Sequence, residues 1–420
     1  MNLFLLLLSS FLFGLVCYFS FIRISVDLRK SFVVLTAYRL LFFAIQSILF
    51  YVLYKNKLDA FLYQDILTEL VRGFKKYPSD ILLFLQGKYL HLHVSEELKT
   101  YLYSEVRVAF FMKTLLPIFL ISAGNYYLMG AWLTLLGSLC FTAFLSMYKK
   151  TDNFYVWFVV LIIPSFNIWT VGILKEALVI PILFLLFYLL QKIINLKGKD
   201  LFSTVVFIVL LLLVWYVKYY LAAVFIMICV FYMMHVYVRL SLASALISTF
   251  LLVCVLFGLG YLHPALKWDV FPEVIYIGYN LTCTKFIEST PCIPFDLDMT
   301  WTSILMNFPK AFVYAFLSPF PWQIHNLASL LAAIESYVFL VLVALMFVRW
   351  FRKQTSVSGI EQISLLIIFI AGSLLILASP NIGSFSRYRI FYLPIYAYIV
   401  FQHSGLIYSR LITILKKIFI

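Results

Sequence analysis

Positions 201–238 read LFSTVVFIVLLLLVWYVKYYLAAVFIMICVFYMMHVYV. Lys218 divides this stretch into two apolar runs, at 201–217 and 220–238. Each run is close to the length of about 20 apolar residues with which a helix crosses a bilayer. Because backbone polar groups within lipid must bond internally, both runs are predicted to be membrane helices.

The same pattern fills the rest of the 420 residues, of which 64% are hydrophobic and 12% charged, with a mean hydropathy of +1.02. A soluble domain has roughly 25% charged residues. The sequence therefore predicts an all-α, polytopic integral membrane protein, forming a single transmembrane domain over 1–420 with about 11–13 transmembrane helices. The twelve apolar runs lie near 2–22, 32–54, 107–123, 127–147, 154–170, 172–193, 201–217, 220–238, 241–261, 328–348, 361–379 and 389–406.

The formal net charge of +14 is explained by short basic loops. From Lys149 onward, twelve Lys and Arg residues lie on one set of alternate connections and six on the other. The positive-inside rule makes the richer side cytoplasmic, so no nucleic-acid partner is expected. The twelve basic residues are Lys149, Lys150, Lys192, Lys197, Lys199, Arg239, Arg349, Arg352, Lys353, Arg410, Lys416 and Lys417.

Two longer polar segments interrupt the apolar runs. Segment 55–106 has the pattern of short amphipathic helices. Twelve spans put it in the cytoplasm, but it moves outside if one of the first runs does not span. Segment 262–327 is expected to be extracytoplasmic, with a re-entrant or interfacial helix near 307–321, where prolines break an apolar stretch. Cys283 and Cys292 share this segment and either pair in an oxidising compartment or stay free.

Charged residues beside membrane helices are candidate functional groups, because they are costly there. PSFNIWTVGILKE (164–176) is broken by Pro164 and Gly172 and ends in Lys175 and Glu176. One interpretation gives Lys175 a phosphate-binding role and Glu176 a catalytic role. The alternative is an interfacial hairpin without function, in which the lysine side chain extends to the lipid headgroups.

A second candidate is NIGSFSRYRIFYLPIY (381–396), where Arg387 and Arg389 flank Tyr388. Both arginines lie on the side of the membrane with fewer basic residues, where the positive-inside rule does not explain them. Guanidinium groups suit bidentate contacts with phosphate. They are expected to clamp a lipid phosphate, with Tyr388 beside the sugar. Binding of ordinary lipid headgroups is the alternative.

Two acidic candidates follow. In the 262–327 segment, Asp296 is a candidate base or cation ligand. In LYQDILTEL (62–70), Asp65 and Glu69 lie on one helix face. They form either a catalytic pair or the solvated face of a surface helix. Arg39, Arg107 and Lys113 are candidates to pair with these two acids. The remaining candidates are Lys310 for phosphate and Trp322 and His325 for sugar.

Three of these motifs together resemble a known group. PSFNIWTVGILKEAL (164–178), SPFPW (318–322) and RYRIFYLP (387–394) resemble motifs of bacterial polytopic proteins of polysaccharide assembly, and the last also resembles glycosyltransferases of the GT-C fold. The resemblance implies a GT-C-like or O-antigen-polymerase-like enzyme of the bacterial inner membrane. Its implied catalytic carboxylate is Asp65, with a divalent cation as the one candidate cofactor and no metal ligands identified.

The implied function is transfer of a sugar, or polymerisation of repeat units, from undecaprenyl phosphate or diphosphate at the outer face. The expected partners are that polyprenyl-phosphate-linked saccharide, membrane lipid and other polysaccharide-assembly proteins. Two alternatives stay open at this point. A flippase for lipid-linked saccharides would use a similar basic cavity without chemistry, and a non-catalytic membrane subunit would have no such cavity.

Overall fold

The computed structural model describes residues 3–54, 59–149, 151–196, 200–258, 267–285, 292–324, 327–405 and 413–416. The protein is helical throughout these ranges apart from loops and one bridge. The helices are α1 (Leu3–Arg23), α2 (Val26–Tyr54), α3 (Asp59–Lys76), α4 (Asp80–Gln86), α5 (Glu96–Ser104), α6 (Val106–Ile121), α7 (Tyr126–Leu145), α8 (Asp152–Leu161), α9 (Pro164–Thr170), α10 (Lys175–Asn195), α11 (Leu201–Tyr232), α12 (Leu242–Gly258), α13 (Phe271–Lys285), α14 (Trp301–Leu317), α15 (Leu327–Phe351), α16 (Gly359–Ala378), α17 (Ile382–Arg389) and α18 (Leu393–Ser404).

Six of the described helices are long and apolar enough to cross a membrane, and α8 with α9 makes a seventh if this pair, bent by 64°, is one span. The all-α polytopic fold predicted from the sequence is therefore confirmed. The six segments are Val26–Val52, Tyr126–Tyr148, Lys175–Asn195, Leu201–His235, Ser329–Phe351 and Gly359–Ala378.

The chain divides into two compact units. Unit 1 comprises Met1–Phe154 and Leu161–Ile226, and unit 2 comprises Tyr155–Val160 and Met227–Ile420.

In unit 1, α2 runs antiparallel to α7. Asp27, at the start of α2, forms an ion pair of 2.8 Å with Lys149, just after α7. Near the start of α7, a Cβ on Gly130 would lie 2.1 Å from the ring of Phe43, which belongs to the second half of α2. We call the end that carries Asp27 and Lys149 the basic end of unit 1.

Helix α10 runs parallel to α7. The amide of Gly172, just before α10, donates to Thr134 in the first half of α7 at 3.3 Å. Further along, the ring of Phe184 lies 4.8 Å from that of Phe144, near the end of α7. Lys192 therefore lies at the basic end, where it binds Asp200 at 2.7 Å. That ion pair lowers the pKa of the Asp200 carboxyl.

Helices α3 to α6 lie at the opposite end of unit 1. The Gln64 amide donates to the carbonyl of Gly124, in the turn between α6 and α7, at 3.0 Å. At the other end of α6, the Arg107 guanidinium lies 5.9 Å from the ring of Tyr219, beside Lys218, which binds Glu176 at the start of α10. Both ends of α6 are thus at one end of the unit.

These contacts bear on two expectations. The run at 107–123 does not cross the bilayer, because α6 has 16 residues and starts and finishes at the same end. Such a helix is about 24 Å long, shorter than the hydrocarbon layer. The described part of segment 55–106 lies at the end of unit 1 opposite Lys149, whereas twelve spans would put both on the same side.

Helix α11 folds back on itself. Its backbone leaves the helical region at Lys218, with φ −149° and ψ 78°. The rings of Phe207 and Phe225 lie 6.3 Å apart, whereas 18 residues of straight helix would separate them by about 27 Å. The two apolar runs predicted on either side of Lys218 are therefore two antiparallel arms.

In unit 2, α14 packs along α16, and α15 packs along α18. The loop after α14 lies beside the middle of α15, because the Ser336 hydroxyl donates to the carbonyl of Ser318 at 3.0 Å. Ser336 is nine residues into α15, roughly 13 Å along it. Cys283 and Cys292 form a disulfide, and Cys292 bridges to Asn381 after α16.

Candidate functional site

Charged side chains from four helices meet at the end of unit 1 opposite the basic end. We call Asp59, Arg107, Lys175, Glu176 and Lys218 the charge cluster. Lys175 interacts electrostatically with the other four.

A break before α10 positions Lys175 and Glu176. Gly172 has φ +70°, and a Cβ there would lie 2.4 Å from Oε1 of Gln46 on α2. A residue with a side chain is disfavoured at such a φ and has no room here. The chain then extends through Leu174 and enters α10 at Lys175.

Glu176 and Lys218 form a buried ion pair. Their side chains are 3% and 9% exposed, and the Lys218 ammonium donates to Oε1 of Glu176. An isolated charge at this depth would be costly, so each side chain offsets the cost of burying the other. The backbone departure at Lys218 brings its ammonium to the start of α10. The carboxylate of Glu176 is already occupied and is poorly placed to accept a proton from a substrate.

Lys175 and Arg107 differ from Lys218. Neither forms an ion pair or a side-chain hydrogen bond within the described part of the chain. Instead, the Lys175 ammonium lies 5.7 Å from the ring of Tyr63, and the Arg107 guanidinium lies 5.9 Å from the ring of Tyr219. Their donors are available to an anionic ligand, and aromatic rings border the place where it would bind.

The acidic side of the cluster is Asp59. On α3, Asp59 and Tyr63 are four residues apart and share a helix face, whereas Asp65 lies about 160° away from Tyr63 around the helix. Because Lys175 contacts Tyr63, the face that carries Asp59 turns toward the cluster. Burial raises the pKa of the nearby Tyr101 hydroxyl, and the negative charges of Glu105 and Asp59 raise it further.

Two polar side chains of α2 support this arrangement. Buried Arg39 donates to Thr170 Oγ1 at 3.1 Å and to Asn167 Oδ1 at 3.3 Å. Gln46 donates to the carbonyls of Ile168 and Val171. Together they bind the end of α9, where helix carbonyls lack internal partners. They therefore fix the break that precedes Lys175.

The expected pairing of Arg39, Arg107 and Lys113 with Asp65 and Glu69 is wrong. Arg39 serves the end of α9, and Lys113 donates to the carbonyl of Leu85 at 3.0 Å. Glu69 accepts from the amide of Ser95 at 2.8 Å, which ties α3 to the start of α5. The Asp65 carboxylate is exposed.

In unit 2, Arg389 is buried and already has a carboxylate partner. It donates to Glu335 Oε1 and to Ser336 Oγ, each at 2.7 Å. Arg387 and Tyr388, on the same helix α17, are half-buried. The ion pair between Arg389 and Glu335 fixes α17 against α15. It also occupies guanidinium donors of Arg389 that a bidentate contact with phosphate would need.

The other predicted residues of unit 2 lie in its loops and in α14. Asp296 is exposed, and its backbone bonds to Asn307. Lys310 donates to the carbonyl of Pro294 and lies 5.4 Å from the ring of Phe295. Trp322 is exposed and stacks on Phe320 with ring centroids 4.9 Å apart. His325 lies outside the described residues.

Sequence reasoning missed Asp59 and Lys218 as site residues. The charge at 218, between two apolar runs, was a visible signal, but it indicated only a connection between spans. Nothing in the order of residues indicates that Lys218 pairs with Glu176. Within the described residues, no group of three or more His, Cys, Asp and Glu side chains is arranged to hold a metal ion.

The chain matches no protein-family model, no curated protein and no solved structure.

Proposed function

We propose that the protein is a membrane-embedded transferase that takes a saccharide from a polyprenyl phosphate or diphosphate carrier, with the carrier phosphate bound at the charge cluster. One observation carries the proposal. The acidic helix α3 lies at the same end of unit 1 as Lys175 and Arg107, so a carboxylate and two cations without an ion-pair partner among the described residues lie close together.

The two cations suit a lipid phosphate. Lys175 is half-buried at the start of a membrane helix, and Arg107 is the second residue of the short helix α6 at the same end. A phosphate at the headgroup level would accept hydrogen bonds from both. Their positive charge would also stabilise the phosphate as it departs from the sugar.

Asp59 supplies the base. During transfer, the bond between the sugar carbon and the carrier phosphate oxygen breaks, and its electron pair stays on the phosphate. The acceptor hydroxyl oxygen forms the new bond to that carbon, and its proton moves to Asp59. Glu176 binds the Lys218 ammonium beside the phosphate position. Asp65, on another face of α3, is the second candidate base.

Binding of the carrier is tested with undecaprenyl phosphate and the full chain in nanodiscs. Lys175→Gln and Arg107→Gln each remove one charged donor and are expected to weaken binding about ten-fold. Lys149→Gln is the matched control, because it removes a half-buried lysine at the basic end. Equal affinity of all three variants and the parent protein would refute the phosphate site.

Chemistry is tested separately with undecaprenyl-phosphate-linked hexoses and a panel of saccharide acceptors. Asp59→Asn is expected to abolish transfer while carrier binding persists, and Glu97→Gln on α5 serves as a control for loss of surface acidity. If Asp65→Asn abolishes transfer and Asp59→Asn does not, the catalytic base is Asp65. Carrier translocation without any transfer would favour a flippase.

A further inference from the structure

A stack of three aromatic rings in unit 2 joins the start of α13 to the start of α14. Trp301, the first residue of α14, stacks on Trp268 with centroids 4.3 Å apart and a tilt of 25°. It also stacks on Phe271, the first residue of α13, at 5.4 Å and 13°. We call Trp268, Phe271 and Trp301 the aromatic platform.

The platform is rigid on one side and open on the other. The Trp301 indole N–H donates to the carbonyl of Trp268 at 2.9 Å, which fixes the two residues together. Trp268 is nevertheless 61% exposed, although one of its faces is covered by Trp301. Its other indole face is therefore presented to the surroundings in a fixed orientation. Such preorganisation lowers the entropic cost of binding a ligand.

The surroundings of that face are polar. Lys267 and Asp269 flank Trp268 in sequence and form an ion pair of 3.0 Å, with both side chains about half exposed. The hydrogen bond from Lys267 lowers the pKa of the Asp269 carboxyl, which keeps it ionised as an acceptor. Exposed Asp298 lies three residues before Trp301. An exposed ion pair on both sides of the indole does not suit contact with acyl chains.

We propose that the aromatic platform is a saccharide-binding site. The electron-rich face of Trp268 attracts the polarised C–H groups on one face of a pyranose ring. Asp269 and Asp298 accept hydrogen bonds from the ring hydroxyls, and Lys267 donates to a ring or hydroxyl oxygen. The ligand class is a neutral or weakly charged oligosaccharide of hexoses. The choice of saccharide rests on the proposed function, but the site does not depend on the charge cluster.

Saturation-transfer difference NMR with the full chain in nanodiscs tests this site. The probes are free hexasaccharides of glucose, galactose, mannose and N-acetylglucosamine. At least one is expected to bind, with Trp268→Ala weakening its binding about ten-fold and Trp268→Phe restoring most of it. Trp350→Ala is the matched control, because Trp350 is an exposed tryptophan whose ring lies 5.4 Å from that of Phe351 in α15.

Failure of all four saccharides to bind, or equal binding by the parent protein and Trp268→Ala, would overturn the proposal. A second measurement tests contact with lipid. Quenching of Trp268 fluorescence by acyl-brominated lipids, seen as a difference between the parent protein and Trp268→Phe, would make the platform an interfacial anchor instead. None of these outcomes depends on Lys175 or Arg107, so the proposed transferase site can fail independently.

Discussion

The ammonium of Lys218 binds the carboxylate of Glu176 across 42 residues of sequence, with both side chains buried. Lys218 reaches this position because α11 breaks there and folds back. Glu176 reaches it because Gly172 lets the chain turn into α10. The pair joins two breaks in membrane helices at one end of unit 1, which is where the proposed phosphate site lies.

Removing one partner of this pair is expected to be strongly destabilising. Glu176→Gln leaves the Lys218 ammonium buried without a counter-charge, which costs about 3–5 kcal/mol. The free energy of unfolding in detergent, followed by circular dichroism, measures the loss. Asp27→Asn is the control, because it breaks an ion pair with exposed side chains and is expected to cost about 0–1 kcal/mol. Equal costs for the two variants would contradict the buried pair.

Replacing both partners with apolar residues is expected to recover most of that loss. Glu176→Leu with Lys218→Met removes both charges together, and such replacements are often neutral in buried sites. The double variant should therefore be more stable than Glu176→Gln alone. A strictly additive loss would mean that the two side chains do not interact.

The course of the chain through unit 1 predicts which positions share a side of the membrane. Single cysteines at Asp65 and at Tyr127, the second residue of α7, are expected to react with an impermeant maleimide added on one side. A cysteine at Lys149 should react only from the other side. The native cysteines are replaced first. Labelling of positions 65 and 149 from the same side would restore the cytoplasmic placement of segment 55–106.

Gly172→Ala is expected to disturb the site through the backbone. A left-handed φ costs a residue with a side chain about 1–2 kcal/mol, and the new Cβ would also meet Gln46. Thermal stability and affinity for undecaprenyl phosphate should both fall. Gly14→Ala in α1 is the matched control, since a Cβ there meets nothing within 4 Å. An unchanged affinity in Gly172→Ala would separate the break from phosphate binding.

The disulfide predicts the number of reactive thiols. In denatured protein prepared without reductant, polyethylene glycol maleimide should leave Cys283 and Cys292 unmodified. Reduction should then add two modified thiols to each chain, seen as a shift in gel mobility. The variant with both residues replaced by serine should show no such addition. Modification of all six cysteines before reduction would contradict the pairing.

Much of the fold was predictable because lipid allows so few backbone arrangements. An apolar run in a bilayer has to be helical, so the two runs around Lys218 correctly predicted two arms. The run at 107–123 misled the prediction because apolar composition alone does not distinguish a helix that crosses the bilayer from one packed at its surface. Contacts at both ends of α6 made that distinction.

The site was only partly predictable for a related reason. The break at Gly172 and the charges at Lys175 and Glu176 are visible in sequence, since glycine and ionisable residues are unusual beside apolar helices. Which charges would meet was not visible. Asp65 and Asp59 are six residues apart on one helix, and the contact between Tyr63 and Lys175 decides which of them faces the cluster.

The sequence by itself determined that this protein consists of membrane helices. It also determined the positions at which those helices are interrupted and the charged residues that lie beside the interruptions. These are local properties, fixed by the length of each apolar run and by the intolerance of lipid for unpaired polar groups. Only the tertiary structure decided that Lys218 pairs with Glu176, that Arg389 is held by Glu335, and that α3 lies opposite the basic end. Such pairings depend on packing between distant segments, because the free energy of burying a charge is set by the partner that the fold brings to it.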